Sequence, residues 1–257
     1  MPPVTPPAML PPPGARIAVV GAAGGIGRAL TDALLAAGAG VEALDLPASL
    51  AAWQAPEGVP CHPLDATDPA AVAAAFASIA ATGDHLDGLV LLAGFALAPT
   101  PLADTPPDSF DELLRGNLAS TWLCARAALP LLKRGTNPAI VTMSSGLALK
   151  STPGYGLYAA AKAGVLALTR TLAAEAAPTV RVNAVAPGAV DTAFLQGGTG
   201  RPAHGHAFDR ARYAAAIPLG RMATPEDVTG PILFLLGPAA GYLTGQTLHI
   251  SGGLFMP

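Results

Sequence analysis

The sequence reads RIAVVGAAGGIG from Arg16 to Gly27, an apolar run that passes directly into a glycine-rich turn. The apolar run predicts a buried β-strand over residues 16–20, and the residues after the turn predict a helix that extends to about Ala37. A strand, a glycine turn and a helix N-terminus together form an anion-binding site, because free backbone N–H groups and the helix dipole face the ligand. The absent side chains let a pyrophosphate approach the backbone. This stretch therefore predicts the first β–α unit of a nucleotide-binding α/β fold.

The rest of the chain alternates short apolar runs with alanine-rich helical stretches. Further strands are predicted over 41–44, 61–64, 88–93, 139–143, 180–186 and 247–250. Helices are predicted over 69–81, 107–132 (one long helix or a kinked one), 155–176, 209–216 and 225–236, with Asp68 as an N-cap and Pro69 at the first helical position. Strands that alternate with helices of this length favour a parallel sheet covered on both faces. The predicted fold class is α/β, a single-domain doubly wound parallel sheet.

Composition narrows the classes of protein that fit. Of the 257 residues 51% are hydrophobic and only 12% are charged, which excludes a disordered chain. The net charge is -3 and no basic run occurs, so we expect no nucleic-acid or membrane partner. The uncharged run 228–248 is interrupted by Gly and Pro, unlike a spanning helix. The two cysteines stand apart without ligand spacing, so we expect neither disulfides nor a metal site, and a cytoplasmic location.

The N-terminus differs in composition from the remainder. Seven of the first thirteen residues are proline, and proline cannot donate a backbone hydrogen bond. We predict a Pro-rich disordered or polyproline-like arm over residues 1–14 and a single nucleotide-binding domain over 15–257. No basic residue precedes this stretch and no unbroken apolar region follows it, which argues against a signal peptide.

A carboxylate follows the second predicted strand. Asp45 lies about 20 residues beyond the glycine turn, where a dinucleotide fold offers a side chain to the adenosine ribose. A carboxylate accepts hydrogen bonds from the ribose hydroxyls and repels a 2′-phosphate. No Arg or Lys occurs between Arg28 and Arg115 to bind such a phosphate. The sequence therefore predicts NAD rather than NADP as the cofactor.

One tyrosine–lysine pair stands out on the predicted helix 155–176. Tyr158 and Lys162 are four residues apart, so their side chains share one helix face. A nearby ammonium favours a phenolate, but a Tyr pKa near 10 must fall by about 3 units to act at neutral pH, which is worth about 4 kcal/mol. One exposed ion pair gives less, so the positive nicotinamide ring or burial is expected to contribute. Ser145 follows a predicted strand, and Asn117 lies inside a predicted helix, where Asn is a poor former.

These motifs resemble those of the short-chain dehydrogenase/reductase family, from residue 15 to the C-terminus. The glycine turn Gly21-x-x-x-Gly25-x-Gly27 resembles the cofactor motif, and Asn117, Ser145, Tyr158 and Lys162 fall at the catalytic positions. The resemblance implies a Rossmann-like fold and an NAD-dependent oxidoreductase acting on a secondary alcohol or ketone. It implies that Tyr158 is the general acid/base, that Ser145 orients the substrate oxygen, and that Asn117 holds a water linking Lys162 to solvent.

The resemblance also implies contact residues. Cofactor contacts are expected from Gly21, Ala23, Gly25, Ile26, Gly27, Asp45, Leu46, Asp65, Ala66, Leu92, Ala93, Gly94, Tyr158, Lys162, Pro187, Gly188, Val190 and Thr192. The substrate pocket is expected to include Phe95, Leu147, Leu149, Tyr155 and Phe194, under a glycine-rich lid over residues 194–208. A small-molecule alcohol or ketone is the expected partner, and the assembly is expected to be a homotetramer. His204 and His206 are expected to be loop residues and not metal ligands.

The sequence departs from the usual family pattern at two places. The family's usual Asn-Asn-Ala-Gly reads Leu91-Leu92-Ala93-Gly94 here, and Ser251 stands where an Asp is usual. Neither change touches the proton-transfer residues, so we expect activity to survive.

One alternative function is that of a 3-oxoacyl (β-ketoacyl) thioester reductase, which Asp45 disfavours because such enzymes usually take NADP. The other is a non-catalytic NAD-binding sensor or scaffold, which the intact catalytic set disfavours.

Overall fold

A computed structural model describes residues 7–150 and 152–256 of the protein. Seven strands form one sheet in which every neighbouring pair is parallel, in the order β3-β2-β1-β4-β5-β6-β7. The strands are β1 (Arg16–Val20), β2 (Gly40–Asp45), β3 (Cys61–Pro63), β4 (Gly88–Leu91), β5 (Ala139–Met143), β6 (Arg181–Pro187) and β7 (Thr247–Ile250). All seven predicted strands are present, and the prediction of a doubly wound parallel α/β fold is confirmed.

Helices cover both faces of the sheet. They are α1 (Gly25–Ala36), α2 (Pro47–Ala51), α3 (Pro69–Thr82), α4 (Pro107–Leu114), α5 (Ser120–Leu132), α6 (Gly156–Ala176), α7 (Arg210–Ala215) and α8 (Pro225–Leu236). On one face, Leu30 of α1 and Ile232 of α8 belong to one buried cluster with β1 and β5. On the other face, α3, α5 and α6 bury a second cluster that includes Ile79 and Cys124. Burial on both sides explains why the strands read as continuous apolar runs.

The predicted start of α3 is confirmed in detail, one short helix was not predicted, and the predicted helix 107–132 takes its kinked form. The Asp68 carboxylate accepts a hydrogen bond of 2.9 Å from the Ala70 N–H, and Pro69 is the first helical residue. The short helix α2 was not predicted. The predicted helix 107–132 is divided by a π-helical segment over Arg115–Ala119, which separates α4 from α5.

The described part of the predicted N-terminal arm contacts the domain. The Ala239 N–H donates to the Ala8 carbonyl at 3.0 Å, and the Gly14 N–H donates to the Gly38 carbonyl at 2.8 Å. Residues 1–6 of the predicted arm lie outside the described residues. None of the helices in the described part of the chain is long and apolar enough to cross a bilayer.

A buried ionic network crosses strands β1, β2 and β3 at one end of the sheet. The Glu42 carboxylate accepts hydrogen bonds from the Arg16 guanidinium at 2.8 Å and pairs with His62 Nε2 at 2.7 Å. The Glu42 side chain is only 7% exposed, so its charge depends on these partners and not on water. The network ties the first three strands together away from the cleft described next.

Candidate active site

A cleft of about 690 Å³ opens at the carboxyl ends of the strands. It lies where the order of the strands reverses between β1 and β4, the usual ligand site of a doubly wound sheet. Residues that follow each of the strands from β1 to β6 line it, so six strands contribute to one site. Its volume is in the range of small-molecule and cofactor sites.

The glycine turn leaves no room for side chains. Gly21 has φ of +92°, and a Cβ there would lie 2.8 Å from the Ala93 backbone nitrogen. A Cβ on Gly27 would lie 2.2 Å from the Gly21 carbonyl oxygen, and one on Gly25 would meet Thr192 at 2.6 Å. The turn therefore presents backbone at the start of α1, which suits the pyrophosphate of a dinucleotide.

Asp45 ends β2 at the wall of the cleft. One carboxylate oxygen accepts the Ala23 N–H at 2.9 Å, and the other accepts the Leu46 N–H at 2.7 Å. Burial raises the pKa of Asp45, and these hydrogen bonds oppose that rise. The carboxylate is thus fixed in orientation, with acceptor capacity left for a ligand hydroxyl.

Ser145, Tyr158 and Lys162 meet at the buried end of the cleft. The Tyr158 hydroxyl lies beside Ser145, whose own hydroxyl accepts the Leu147 N–H at 3.2 Å and caps the 3₁₀ turn after β5. The Lys162 ammonium lies 5.6 Å from the Tyr158 ring centre and donates to the Met143 carbonyl at 3.1 Å. The three side chains can therefore bind and protonate one oxygen atom.

Burial shifts both titrating groups of this cluster toward their neutral forms. It raises the pKa of Tyr158 well above its usual value, an effect opposed only by the neighbouring Ser145 hydroxyl. It lowers the pKa of Lys162 to about 8. The expectation that burial helps to lower the Tyr158 pKa is therefore wrong, because desolvation penalises the phenolate. To ionise near neutral pH, Tyr158 would need a further positive charge beside it.

Asn117 connects the catalytic cluster to the end of β4. It is fully buried within the π-helical segment, where its amide accepts the Phe95 N–H at 3.2 Å and donates to the Phe95 carbonyl at 2.9 Å. A Cβ on Gly94 would lie 2.5 Å from the Asn117 Oδ1 and 3.1 Å from the Lys162 Nζ. The Asn117 amide thus braces the loop after β4 next to Lys162, and its side chain does not line the cleft.

Apolar side chains line the cleft next to Tyr158. Phe95, Leu147, Tyr155 and Phe194 line it as expected, and the Phe194 and Tyr158 ring centres are 6.1 Å apart. Leu149 is corrected: it is half exposed and lies outside the lining, because the 3₁₀ turn over Gly146–Ala148 carries it away.

Most of the predicted cofactor contacts come together in the cleft. The lining includes Gly21, Gly25, Ile26, Gly27, Asp45, Leu46, Asp65, Ala66, Leu92, Ala93, Gly94, Pro187, Gly188, Val190 and Thr192, together with Tyr158 and Lys162. Ala23 is corrected: it is buried beneath the turn, and its N–H is bound to Asp45.

The predicted lid crosses the cleft. Its residue Thr199 lies next to the glycine turn, because a Cβ on Gly24 would be 3.8 Å from the Thr199 hydroxyl. Its residue Gly200 lies against α2, because a Cβ on Gly200 would be 2.4 Å from the Ser49 Oγ. The next residue, Arg201, stacks 3.5 Å above the Phe95 ring. Sequence reasoning missed Arg201, and also Lys150 and Phe255, because their place depends on loops and on the C-terminus. The only sequence signal for these residues was the high glycine content of residues 197–205, which indicates a loop that can close over the cleft.

The fold and the cleft together define a nucleotide-binding α/β protein with a Ser, Tyr and Lys cluster at its switch point. A family model described as enoyl-(acyl carrier protein) reductase matches residues 21–255. The chain belongs to the short-chain dehydrogenase/reductase family, a family of oxidoreductases.

Individual relatives agree with this assignment. The chain is 38% identical to cis-4-hydroxycyclohexanecarboxylate dehydrogenase of Sinomonas cyclohexanicum, over 93% of this chain and 96% of that protein. It is 35% identical to an uncharacterized short-chain type dehydrogenase/reductase of Sinorhizobium fredii, covering 94% of this chain but only 44% of that longer protein. A 3-ketoacyl-(acyl-carrier-protein) reductase from Brucella melitensis, solved in complex with NADH, superposes with a TM-score of 0.86 at 27% identity and covers 95% of this chain and 99% of that one.

Proposed function

We propose that the protein is an NAD-dependent dehydrogenase of a secondary alcohol, or a reductase of the corresponding ketone. The observation that carries the proposal is the convergence of Ser145, the Tyr158 phenol and the Lys162 ammonium at the buried end of a cleft that begins at a glycine turn. A phenol, a hydroxyl and an ammonium within one cluster suit proton exchange with a carbinol oxygen.

The residues around the turn fit a dinucleotide. The backbone of Gly21 to Gly27 would hold the pyrophosphate, and the Asp45 carboxylate would accept the adenosine ribose hydroxyls. When bound, the nicotinamide supplies hydride transfer and a positive ring in its oxidised state. That charge would oppose the burial that raises the pKa of Tyr158.

The roles of the side chains follow from their contacts. Ser145 holds the substrate oxygen against Tyr158, which accepts the hydroxyl proton as the carbinol carbon loses hydride, or returns that proton in the reductive direction. Lys162 supplies positive charge next to the phenol and can bind ribose hydroxyls. Asn117 acts as a positioning residue, because its amide fixes the backbone at Phe95.

The relatives support two substrate classes. A cyclic secondary alcohol such as that named for the Sinomonas dehydrogenase suits a pocket walled by Phe95, Leu147 and Phe194. A 3-oxoacyl thioester, supported by the Brucella reductase, is the second candidate.

The proposal is tested by following NADH formation with cyclohexanol, cis-4-hydroxycyclohexanecarboxylate and 3-hydroxybutyrate, and NADH oxidation with acetoacetyl-CoA. We expect turnover with at least one of them and its loss in Tyr158→Phe. Tyr242→Phe is the matched control, since Tyr242 is fully exposed and lies outside the cleft. NAD binding without turnover of any alcohol, ketone or thioester would instead support the sensor or scaffold alternative.

Cofactor choice is tested with the same assay. Loss of one charge-assisted hydrogen bond costs about 1.5–3 kcal/mol, so we expect NAD to be preferred over NADP by at least about tenfold in kcat/KM. Asp45→Ser should lower kcat/KM for NAD and improve it only modestly for NADP, because the change supplies no cation. Equal or better use of NADP by the wild type would contradict the role given to Asp45.

A further inference from the structure

Charged side chains are distributed unevenly along the cleft. Asp45 and Asp65 line the end that follows β2 and β3, where the adenosine would lie. The end near Phe95 and Phe255 instead holds Lys162 and three further cations, Arg115, Lys150 and Arg201, with a single carboxylate, Glu112. This end carries a net charge of about +3, in a chain whose net charge is -3.

The one carboxylate at this end is already paired. The Arg201 guanidinium contacts Glu112 while it stacks on Phe95. Within residues 7–150 and 152–256, Lys150 and Arg115 have no ion-pair partner. Apart from Lys162, two cations at the cleft therefore lack a counter-charge in the described protein.

Lys150 is the better placed of the two to meet a substrate. Its ammonium lies 5.1 Å from the centre of the Phe255 ring. That ring closes on Gly146, where a Cβ would lie 2.2 Å from it, and Gly146 follows Ser145 directly. Ser145 and the unpaired ammonium of Lys150 therefore lie on one short segment, and the Phe255 ring packs between them.

We propose that Lys150 is a specificity-determining residue that holds an anionic group of the substrate. The substrate class is then a hydroxy carboxylate, or the matching oxo carboxylate, with an apolar body that separates the reacting carbon from the acid. This inference rests on the proposed function and narrows its substrate class. A small acid is the simplest substrate that meets these requirements, and a thioester carrier is an outcome of the test below.

The apolar walls agree with such a substrate. Phe95 and Phe194 face the reacting cluster and offer an uncharged surface to the substrate body. Lys150 is exposed, so its attraction for a carboxylate is screened by salt, and selectivity for acids should weaken as ionic strength rises.

The test compares each hydroxy acid of the panel above with its primary amide, in the wild type and in Lys150→Gln. For the acids we expect the variant to raise KM about fivefold to fiftyfold with kcat within about twofold, and for the amides no change. Lys150→Arg keeps the charge and should restore most of the KM. Lys133→Gln is the matched control, because Lys133 is an exposed lysine outside the cleft. NAD affinity, followed by fluorescence titration, should be equal in all four proteins.

The outcomes separate this inference from the proposed function. If the wild type has the same kcat/KM for the amides as for the acids, or if Lys150→Gln raises the KM of both equally, Lys150 does not recognise an anionic group. If acetoacetyl-CoA is the better substrate and its KM is the one that Lys150→Gln raises, the anion belongs to the carrier and the small-acid assignment is overturned. Absence of turnover with every compound contradicts the proposed function itself.

Discussion

Replacing Lys162 by methionine should abolish activity and yet stabilise the protein without cofactor. Lys162 is 2% exposed, and its ammonium has one hydrogen bond, to the Met143 carbonyl. Burial lowers its pKa from 10.5 to about 8, so holding the charged form at neutral pH costs folding free energy. Methionine fills a similar volume without the charge.

The magnitude follows from the pKa shift. A shift of this size at about 1.36 kcal/mol per unit costs the wild type about 3 kcal/mol at pH 7, where the lysine is charged in both the folded and the unfolded chain. Loss of the hydrogen bond to Met143 offsets about 1 kcal/mol of this gain. Lys162→Met should therefore be about 2 kcal/mol more stable at pH 7, which raises Tm by roughly 4–8 °C.

The sign of the pH dependence is the sharper part of the test. Between about pH 8 and 10.5 the unfolded wild type binds more protons than the folded one, so wild-type stability rises with pH. The advantage of Lys162→Met should shrink by about 2 kcal/mol between pH 7 and 9.5, as measured by urea unfolding at fixed protein concentration. Lys133→Met, at an exposed site, should show no such trend. A variant less stable than wild type at pH 7, or a difference independent of pH, would refute the reasoning.

Three further predictions concern other parts of the molecule. Gly21→Ala should lower stability by about 1–3 kcal/mol and weaken NAD binding in fluorescence titration, because φ is +92° and the new Cβ meets backbone. Glu42→Gln should destabilise the protein by about 3 kcal/mol in urea unfolding, because the largely buried Arg16 guanidinium loses its counter-charge and His62 Nε2 loses its carboxylate partner; a change below about 1 kcal/mol would mean that the other acceptors around Arg16 already satisfy it. A thiol reagent should modify Cys61 but not Cys124 in the native protein, since Cys124 is fully buried and burial raises its pKa to about 12; rapid reaction of both thiols would show that α5 opens readily.

Regular elements were predictable wherever burial alone decides the pattern. β1, β5, β7 and α8 have the bounds that the sequence predicts. The central strands β1 and β5 read as apolar runs because both of their faces are buried, whereas Pro225 marks the start of α8 and Gly237 follows its end. The π-helical segment was not predictable, because it depends on the Asn117 amide meeting the backbone of Phe95, 22 residues away. Local hydrophobicity does not predict a contact between residues so far apart in the sequence.

The candidate site divides in the same way. Residues that follow strand ends, such as Asp45 and Ser145, were predictable because parallel strands deliver their carboxyl ends to one edge. Lys150, Arg201 and Phe255 were not, because the lid and the C-terminal segment set their positions. The electrostatic balance of Tyr158 was also misjudged, since the sequence shows a neighbouring lysine but not the desolvation that raises the Tyr158 pKa.

The π-helical segment between α4 and α5 has a consequence for insertions and deletions. A π-turn holds one residue more than an α-turn, so removing any single residue from Arg115–Ala119 would let an uninterrupted α-helix form. Such a deletion would leave α4 and α5 facing the same way as before, because the wider turn already takes up the rotation of one extra residue. The packing of Leu113 and Cys124 should therefore survive it. The residues within the segment would change their facing, so the Asn117 amide would lose its two hydrogen bonds to the Phe95 backbone and the loop after β4 would be released next to Lys162.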